Sequence, residues 1–311
     1  MVNDVIELTI DGVNVKIEDV LSLSFNDAAG VKSDKVTLSV MPNFPKPKPS
    51  AKLELIFKTF KDGDELESLK CGLFHVQTVV RKDVKLLSFT ATGVEFNDKQ
   101  KIKLSNHYQG TKLSSIVQIV ADRLGHKVKF QTDDVDIKSL NQTNESDINF
   151  LNRLAQTYNC LFSIKNDYIY FVDKDDGSLP VTKIDVSKCK SSSIKHSTKT
   201  YYKSCEASWH DIDSGKIKKV TFGDGSPVLK IDGSYIDEND ALAKAKAKLK
   251  SINKGTVSGS LSLKGREIYA GTKVELVNTY NNEDDGVYSV VSCTHRYTIK
   301  NGWIVDVEIE N

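Results

Sequence analysis

The stretch Gln142-Thr143-Asn144-Glu145-Ser146-Asp147-Ile148-Asn149-Phe150-Leu151-Asn152-Arg153-Leu154-Ala155 lies near the middle of the chain and guides the interpretation of the rest. Ser146 occupies the position of a helix N-cap, where a side-chain oxygen can accept a hydrogen bond from a free backbone N–H. Glu145 and Asp147 bring negative charge to the same helix N-terminus, where the helix dipole favours it. The stretch therefore predicts an amphipathic helix. Its expected buried face comprises Ile148, Leu151, Leu154, Ala155 and Tyr158.

The segments on either side of this helix predict an α/β unit. An earlier helix begins after Thr111, which can cap it, and ends before Gly125. A β-hairpin follows the second helix, with strands over 161–164 and 168–172 and a turn at 165–167. We expect residues 105–180 to form one α/β domain. The expected buried face of the earlier helix comprises Leu113, Ile116, Val117, Val120 and Leu124.

Residues 1–104 have the pattern of short strands separated by turns. Asp11-Gly12 joins two alternating runs, which is the strongest short-range signal for a hairpin. Four of the six prolines lie within residues 42–49, so no central strand can run there. Regular short strands with turns between them predict a first, tube-like β-barrel domain over 1–104.

Residues 181–311 return to the strand pattern, interrupted by one helix at about 237–252 that Asp237 can cap. We expect this region to be a second β-barrel domain. The predicted fold class is mainly β with an α/β middle region, and with two small tube-like β-barrel domains per chain. The expected buried face of the third helix comprises Leu242, Ala245, Leu249 and Ile252.

The charge balance and the cysteines exclude several classes of protein. Lys and Arg number 43 and Asp and Glu number 42, so the chain is nearly neutral and we expect no specific nucleic-acid partner. No run of about 18 apolar residues occurs, and the N-terminus lacks the pattern of a signal peptide. We therefore expect no membrane span, and synthesis in a bacterial host cytoplasm. The five cysteines are far apart without a Cys-x-x-Cys pair, which predicts reduced thiols.

Motifs for cofactors and metals are absent or incomplete in the sequence. The glycine-rich stretch 223–227 lacks the Lys-Ser or Lys-Thr of a phosphate-binding loop, and we interpret it as a turn. His210, Asp211 and Asp213 come nearest to a metal-ligand cluster. A strand would place His210 on the opposite face from the two carboxylates, so a solvated turn is the better interpretation.

Catalytic and DNA-binding patterns are also missing. The stretch 255–259 only approaches a Gly-x-Ser-x-Gly elbow, and Ser258 sits where a strand begins. The lysines between 46 and 52 alternate with prolines rather than stacking aromatics, and the stretch 188–199 resembles an exposed linker more than a DNA groove. We predict no catalytic, cofactor-binding or metal-binding residues, no cofactor, and a protein that is not an enzyme.

The middle stretch resembles the Gln-x-x-Glu-Ser-Asp-x-x-Phe-Leu-x-Arg-Leu-Ala signature of the phage late control D family. That family includes tail hub proteins of contractile phages and the N-terminal parts of the valine–glycine-repeat spike proteins of type VI secretion. Asn159 occupies the place of the glycine that usually follows the helix, which Asn can fill because it tolerates a left-handed conformation. Later stretches are also similar to the family. They are Ala270-Gly271-x-x-Val274 and Asp285-Gly286-x-Tyr288-x-Val290-x-x-x-x-His295.

The resemblance implies a structural hub protein of a contractile phage tail, baseplate or related injection system. Such hubs form homotrimers with two barrels per subunit, which join a six-fold tail tube to a three-fold spike. The implied partners are further copies of the chain, a spike protein, tail tube or tube-initiator proteins and other baseplate proteins, in a virion tail. Spike proteins of type VI secretion continue beyond the hub, whereas this sequence ends at Asn311, so we expect the spike to be a separate chain. Two alternatives stay open, a tail-associated peptidoglycan hydrolase and a β-protein that binds the host surface.

Several single residues have structural interpretations at this stage. Glu145, Ser146 and Asp147 are expected to cap their helix rather than contact a partner. Arg153 can pair with Asp147 or Glu145, or cross to a neighbour. His295 is expected in a barrel wall. Trp209 and Trp303 are expected in the core or at a subunit interface rather than in a carbohydrate-binding platform.

Overall fold

The computed structural model describes residues 2–28, 34–82, 85–93, 102–165, 168–173, 181–197, 201–211, 214–233, 235, 237–253 and 256–311. The described chain is mostly β, as predicted, with three α-helices. The helices are α1 (Leu113–Leu124), α2 (Asp147–Thr157) and α3 (Glu238–Asn253). The strands of the first third are β1 (Val2–Ile10), β2 (Val13–Asn14), β3 (Val20–Ala28), β4 (Lys35–Val40), β5 (Lys52–Lys61), β6 (Asp64–Lys82) and β7 (Leu86–Thr92).

The middle third contributes shorter strands around α1 and α2. They are β8 (Lys103–Lys112), β9 (Lys127–Gln131), β10 (Asp136–Ser146), β11 (Cys160–Lys165) and β12 (Tyr168–Asp173). The last third carries β13 (Val181–Asp185), β14 (Ser191–His196), β15 (Ser204–Asp211), β16 (Lys216–Gly223), β17 (Val228–Asp232), β18 (Val257–Lys264), β19 (Lys273–Val277), β20 (Gly286–Thr298) and β21 (Gly302–Glu310).

One sheet of 13 strands combines strands from both of the predicted β-modules, whereas β15, β16 and β17 form a separate sheet. Along it, β3, β4, β7, β6, β5 and β1 are neighbours, and β20 pairs with β3 at one end. These strands, with the C-terminal half of β20 and the start of β21, surround one core, and we call them the first ring. Its largest buried side chains are Phe25, Phe57, Phe74, Phe89 and Trp303.

In the described residues, no ladder of backbone hydrogen bonds joins β1 to β21. A side chain closes the first ring at this seam instead. Asp4 Oδ2 on β1 accepts a hydrogen bond from the backbone N–H of Trp303 at 3.0 Å, although the two residues are 299 positions apart. Asp4 Oδ1 accepts another from Thr59 Oγ1 at 2.7 Å. Gly302 adjoins this contact, since a Cβ there would lie 2.3 Å from Asp4 Oδ2. The carboxylate thus satisfies an N–H that a strand partner would otherwise take.

A second ring consists of β19, the N-terminal half of β20, the rest of β21, β18 and the run of chain that contains β13 and β14. Strand β13 pairs with β19, and β14 pairs with β18. A turn of 3-10 helix, Val186–Lys188, separates β13 from β14, so one run of chain connects the two outer strands of the set. The core of this ring is mostly aliphatic, with Tyr288 and Cys293 as further members. It contains Ile184, Leu261, Val274, Leu276, Val290, Val305, Val307 and Ile309.

The hairpin of β20 and β21 belongs to both rings. Tyr297 and Trp303, near its turn, lie in the first core, whereas Val290 and Val307 lie in the second. Alternation along a strand puts every second side chain on the same face, so one continuous hairpin can serve two consecutive cores. The bounds of the predicted domains, at 104/105 and 180/181, stay predictions.

Two smaller layers complete the fold. In the middle region α1 and α2 pack on β9, β11 and β12 around a core of their own. In the last third α3 packs on the sheet of β16, β15 and β17. Trp209 is 5% exposed and lies between that sheet and α3, so it is a core residue.

Two of the predictions for the helices are wrong, namely the cap of α1 and the burial of Ile252. Ser146 caps α2 as expected, accepting from the Asn149 N–H at 3.4 Å. Thr111 does not cap α1, because it belongs to β8, and Asp134 accepts from the Ser114 N–H at 2.9 Å instead. Ile252 was expected to be buried in α3, yet it is 39% exposed, because the face of α3 that meets the sheet is lined by alanines.

Other local predictions are confirmed. Asp11 and Gly12 both have positive φ, as a two-residue hairpin turn requires. Asn159 also has positive φ after α2.

The stretch 188–199 differs from the prediction of an exposed linker. It contains β14, whose pairing with β18 the local sequence does not reveal. The hairpin turn at 166–167 lies outside the described residues.

Candidate functional site

The stretch that opened the sequence analysis builds a polar network between α1, α2, β8 and β10. Asp147, at the start of α2, is only 5% exposed. Its two carboxylate oxygens accept hydrogen bonds from Arg123 at the end of α1, at 3.1 Å from Nε and 2.6 Å from the terminal nitrogen. Two parallel bonds of this kind fix both distance and orientation. The pair therefore anchors the end of α1 to the beginning of α2.

Gln142 on β10 completes the network from the side of the strand. Its Nε2 donates to Asp147 at 2.9 Å and to the Glu145 carbonyl at 3.1 Å. Its Oε1 accepts from Asn106 on β8 at 3.0 Å. A side chain that is 1% exposed has few other ways to satisfy these atoms. Gln142 and Asp147, five residues apart, thus hold the corner where β10 turns into α2.

The charges of this network are fully engaged. The hydrogen bond to Asp147 raises the pKa of Arg123 above its ordinary value, against the opposing effect of burial. Tyr108 accepts from the same guanidinium at 3.1 Å. A carboxylate with three donors has little capacity left to bind a ligand. The motif therefore acts as a structural clamp, and the Asp147 carboxylate bonds to side chains of α1 and β10, whereas Ser146 caps α2.

Glu145 and Arg153 form a separate pair outside the buried network. The Arg153 guanidinium donates to the Glu145 carboxylate, and also to the Asn141 carbonyl at 2.9 Å. The Arg153 side chain is 44% exposed, so water screens this pair. Of the partners considered for Arg153, the structure selects Glu145. Arg123 and Tyr108 were not predicted as partners of the motif, because they come from elements that sequence spacing alone does not bring together.

The second stretch with family resemblance, around Ala270-Gly271, joins three parts of the molecule. Asp27 on β3 is fully buried and accepts from the Ala270 N–H at 2.8 Å. Gly271 has φ of +84°, and a Cβ there would lie 2.6 Å from Leu161 on β11. The backbone conformation favours glycine here, and the nearest atom of the middle region is a terminal methyl group of Leu161.

His295 lies inside the first ring, as expected of a barrel-wall residue. It is fully buried. Its Nδ1 accepts from Trp303 Nε1 at 3.2 Å, and its Nε2 lies 3.0 Å from the Ile268 carbonyl, which can only accept. These two partners define a neutral ring with the proton on Nε2. Trp303, 1% exposed, is a core residue.

The outer face of β3, β4 and β7 has an unusual composition, and we call it the hydroxyl face. Apart from Asp27, the inward residues of these strands are apolar, and every second residue points outward. In the chain as a whole 27% of residues are charged, whereas Lys35, at the start of β4, is the one charged side chain among the outward positions of these three strands. Ser24, Thr37 and Thr90 form one row across the three strands. The hydroxyl face comprises Ser22, Ser24, Thr37, Ser39, Ser88 and Thr90.

The remaining predicted features lie apart from these groups. His210 and Asp211 are the last two residues of β15, and Asp213 lies outside the described residues. Gly223 and Gly225 both have positive φ in the predicted turn. Within the described ranges, no group of three or more His, Cys, Asp or Glu side chains could hold a metal ion. None of the described helices is long and apolar enough to cross a membrane.

The fold is shared with solved structures of tail proteins. A tail protein from Neisseria meningitidis MC58 has a TM-score of 0.75 at 10% identity, over 99% of this chain and 97% of that one. The 43 kDa tail protein of prophage MuSo2 from Shewanella oneidensis has a TM-score of 0.69 at 13% identity, over 98% and 95%.

A component of the type VI secretion system of E. coli, the c3393 protein, shares the fold with a TM-score of 0.57 at 11% identity. Here the overlap is 97% of this chain and 76% of that one. That protein is described as similar in structure to the T4 bacteriophage tail proteins gp27 and gp5. No family model and no curated protein sequence matches the chain. At such low identity the similarity establishes the fold, and function needs its own argument.

Proposed function

We propose that this protein is a structural hub of a contractile phage tail or phage-like injection system. In this role it forms a homotrimeric ring that joins a six-fold tail tube to a three-fold spike. Its partners are further copies of itself, a spike protein, tail tube or tube-initiator proteins and other baseplate proteins. The protein is not an enzyme and resides in the tail of the particle.

The observation that carries this proposal is the extent of the shared fold. The likeness to two tail proteins spans nearly the whole of both partners, 99% and 97% in one case and 98% and 95% in the other. A match of one small domain could reflect a widespread fold, because many functions use the same small domains. A shared order of two strand rings, an α/β middle region and a further helix-covered sheet is far more specific.

The two rings support the symmetry part of the proposal. Three copies of a chain with two consecutive strand rings present six similar units around a three-fold axis. The shared hairpin of β20 and β21 holds the rings in a defined relation, because each of its strands passes through both cores. A rigid relation between the two units is what a closed assembly needs.

The hydroxyl face supports assembly through its chemistry. Burying a charge at an interface requires a compensating partner, whereas short hydroxyl side chains can exchange water for a neighbour at low cost. Ser24, Thr37 and Thr90 extend this uncharged row across three adjacent strands. We propose this face as a contact between subunits of the ring.

The test is the mass of the particle in solution, measured by light scattering with and without the spike protein encoded beside it. We expect a trimer, either alone or with the spike. The matched variants are Thr37→Lys, which introduces charge in the hydroxyl face, and Thr221→Lys, which introduces the same charge on the exposed face of β16. Only Thr37→Lys should shift the mass to that of a monomer.

A monomer that ignores the spike and the other tail proteins would overturn the hub assignment. A trimer that tolerates Thr37→Lys would keep the hub but move the contact elsewhere. Circular dichroism of both variants checks that the strands are intact, since an outward lysine leaves the core unchanged.

A further inference from the structure

A large cleft opens in the second ring, at the place where the chain passes from β13 to β14. Its volume is roughly 980 Å³. The 3-10 turn Val186–Lys188 lies on one side, and the ends of β18 and β19 lie on the other. Glu67 reaches the cleft from β6 of the first ring. The cleft therefore forms where one run of chain closes the ring by pairing first with β19 and then with β18.

The acidic side chains of the cleft are already occupied. Asp185 accepts from Ser187 and pairs with Lys188 at 3.0 Å, and these donors lower the pKa of its carboxyl. Asp285 accepts from the Thr279 N–H and Oγ1, at 3.0 and 2.7 Å, which lowers its pKa as well. Both groups are therefore ionised at neutral pH but have little capacity to bind a further cation.

The basic side chains are in excess. Five of them and three acidic side chains line the cleft. Arg266 is engaged, because it lies 3.6 Å from Glu67 and donates to the Lys183 carbonyl at 2.8 Å. Lys183, Lys190 and Lys264 are exposed and have no ion pair with any residue that the structure describes. Three free ammonium groups at one cleft favour an anionic ligand.

The rest of the lining distinguishes between anionic ligands. Val277 and Cys189 also line the cleft and are half-buried, so they give it an apolar floor that a ligand can reach. None of its described lining residues is aromatic, so it has no platform for stacking bases. The ionised carboxylates of Asp185 and Asp285 would repel a dense row of phosphates. An extended peptide that alternates acidic and apolar side chains meets both the lysines and the floor.

We propose that this cleft binds an acidic, extended segment of a partner protein. Lys183, Lys190 and Lys264 receive its carboxylates, and the floor at Val277 and Cys189 receives its apolar side chains. In a tail the segment would belong to an adjoining protein, so the identity of the partner rests on the proposed function, whereas the chemistry of the cleft does not.

The experiment uses the intact chain and a fluorescein-labelled peptide of six Glu-Val repeats, followed by fluorescence anisotropy at about 0.1 M salt. We expect saturable binding that weakens at least 10-fold in the Lys183→Glu, Lys264→Glu double variant. The matched control, Lys216→Glu with Lys230→Glu, changes the same charge on the exposed strands β16 and β17. Its affinity should stay within about 2-fold of the wild type, because attraction to net charge alone is screened over about 10 Å.

Cys189, which lines the cleft, provides a second measurement. Bound peptide should slow its alkylation by iodoacetamide, as read by mass spectrometry of the digested protein. Cys71, also partly exposed, lies on the first ring and should react at an unchanged rate.

Three outcomes would overturn the proposal. The first is the absence of saturable peptide binding, and the second is an equal loss of peptide affinity in both double variants. The third is that a 12-nucleotide single strand binds more tightly than the peptide and that the Lys183 and Lys264 changes abolish its binding. The last would assign the cleft to phosphate. Each is distinct from failure of the hub assignment, because the peptide assay needs neither a trimer nor a spike.

Discussion

The two rings share a hairpin but are built differently. The first is filled by large aromatic side chains, among them Phe57 and Trp303, whose rings stack at a centroid distance of 5.2 Å. The second is filled by aliphatic side chains such as Val274 and Leu276. The first closes through the Asp4 carboxylate, and the second through a run of chain that leaves a charged cleft beside it.

The difference shows two ways to end a curved sheet. In the first ring a side chain takes the place of a ladder hydrogen bond, so the seam is compact and the core can hold bulky residues. In the second ring the backbone itself crosses the seam, which leaves polar side chains and space at the crossing. We therefore expect the first seam to matter for stability and the second for binding.

The largest effect is expected from Trp303→Ala in the first ring. Loss of a fully buried tryptophan should lower the free energy of unfolding by about 3–5 kcal/mol. Leu276→Ala is the counterpart in the second ring, with an expected loss of about 2–5 kcal/mol. Urea unfolding followed by circular dichroism measures both. Because β20 and β21 pass through both cores, each variant should shift one common transition. Two separate transitions would mean that the rings unfold independently.

The middle region offers a comparison of a buried pair with an exposed one. Asp147→Ala removes the acceptor of Arg123 and Gln142. We expect the free energy of unfolding to fall by about 3 kcal/mol, which is the lower end for a buried pair because Arg123 is partly exposed. Arg153→Ala removes the exposed pair with Glu145 and should cost less than about 1 kcal/mol. Thermal unfolding of the two variants side by side tests this order. Equal losses would contradict the assignment of Asp147 as the clamp.

The seam of the first ring can be tested at Asp4. Asp4→Ala leaves the Trp303 N–H without its acceptor, and we expect a loss of about 1–3 kcal/mol. Asp4→Asn keeps one oxygen for that N–H, and its amide can donate to Thr59 Oγ1, so most of the stability should remain. Hydrogen exchange of the Trp303 amide reports the seam directly. Fast exchange in the alanine variant alone supports the closure, and unchanged exchange in both would count against it.

The smallest effect is an acid dependence in the second ring. Hydrogen bonds from Thr279 lower the pKa of the folded Asp285 below that of an unfolded Asp, about 3.9. The resulting stabilisation is complete above that value and is lost as the pH falls through the lowered pKa of the folded state. The melting temperatures of wild type and Asp285→Asn should therefore converge as the pH falls from about 5 to 2. A constant difference would show that the carboxylate contributes nothing through its charge.

Local features of this protein were predictable from the sequence. The end of α1 at Gly125, the Ser146 cap of α2 and the Asp11-Gly12 turn depend on residues within a few positions of one another. The two β-regions and the α/β middle followed from the change of hydrophobic period along the chain. Gln142 and Asp147 were recognised as parts of one motif, although the sequence predicted a helix cap there and not a clamp.

Only the tertiary structure could supply the contacts between distant residues. Asp134 caps α1 from 20 positions away, Arg123 reaches Asp147 from another helix, and Asp4 meets Trp303 across nearly the whole chain. Ile252 lies on the expected face by periodicity, yet it is 39% exposed, because the face of α3 that meets the sheet is lined by alanines. Periodicity records which side of an element is apolar. The order in which strands pair, and hence which elements meet, depends on free energies summed over the whole fold.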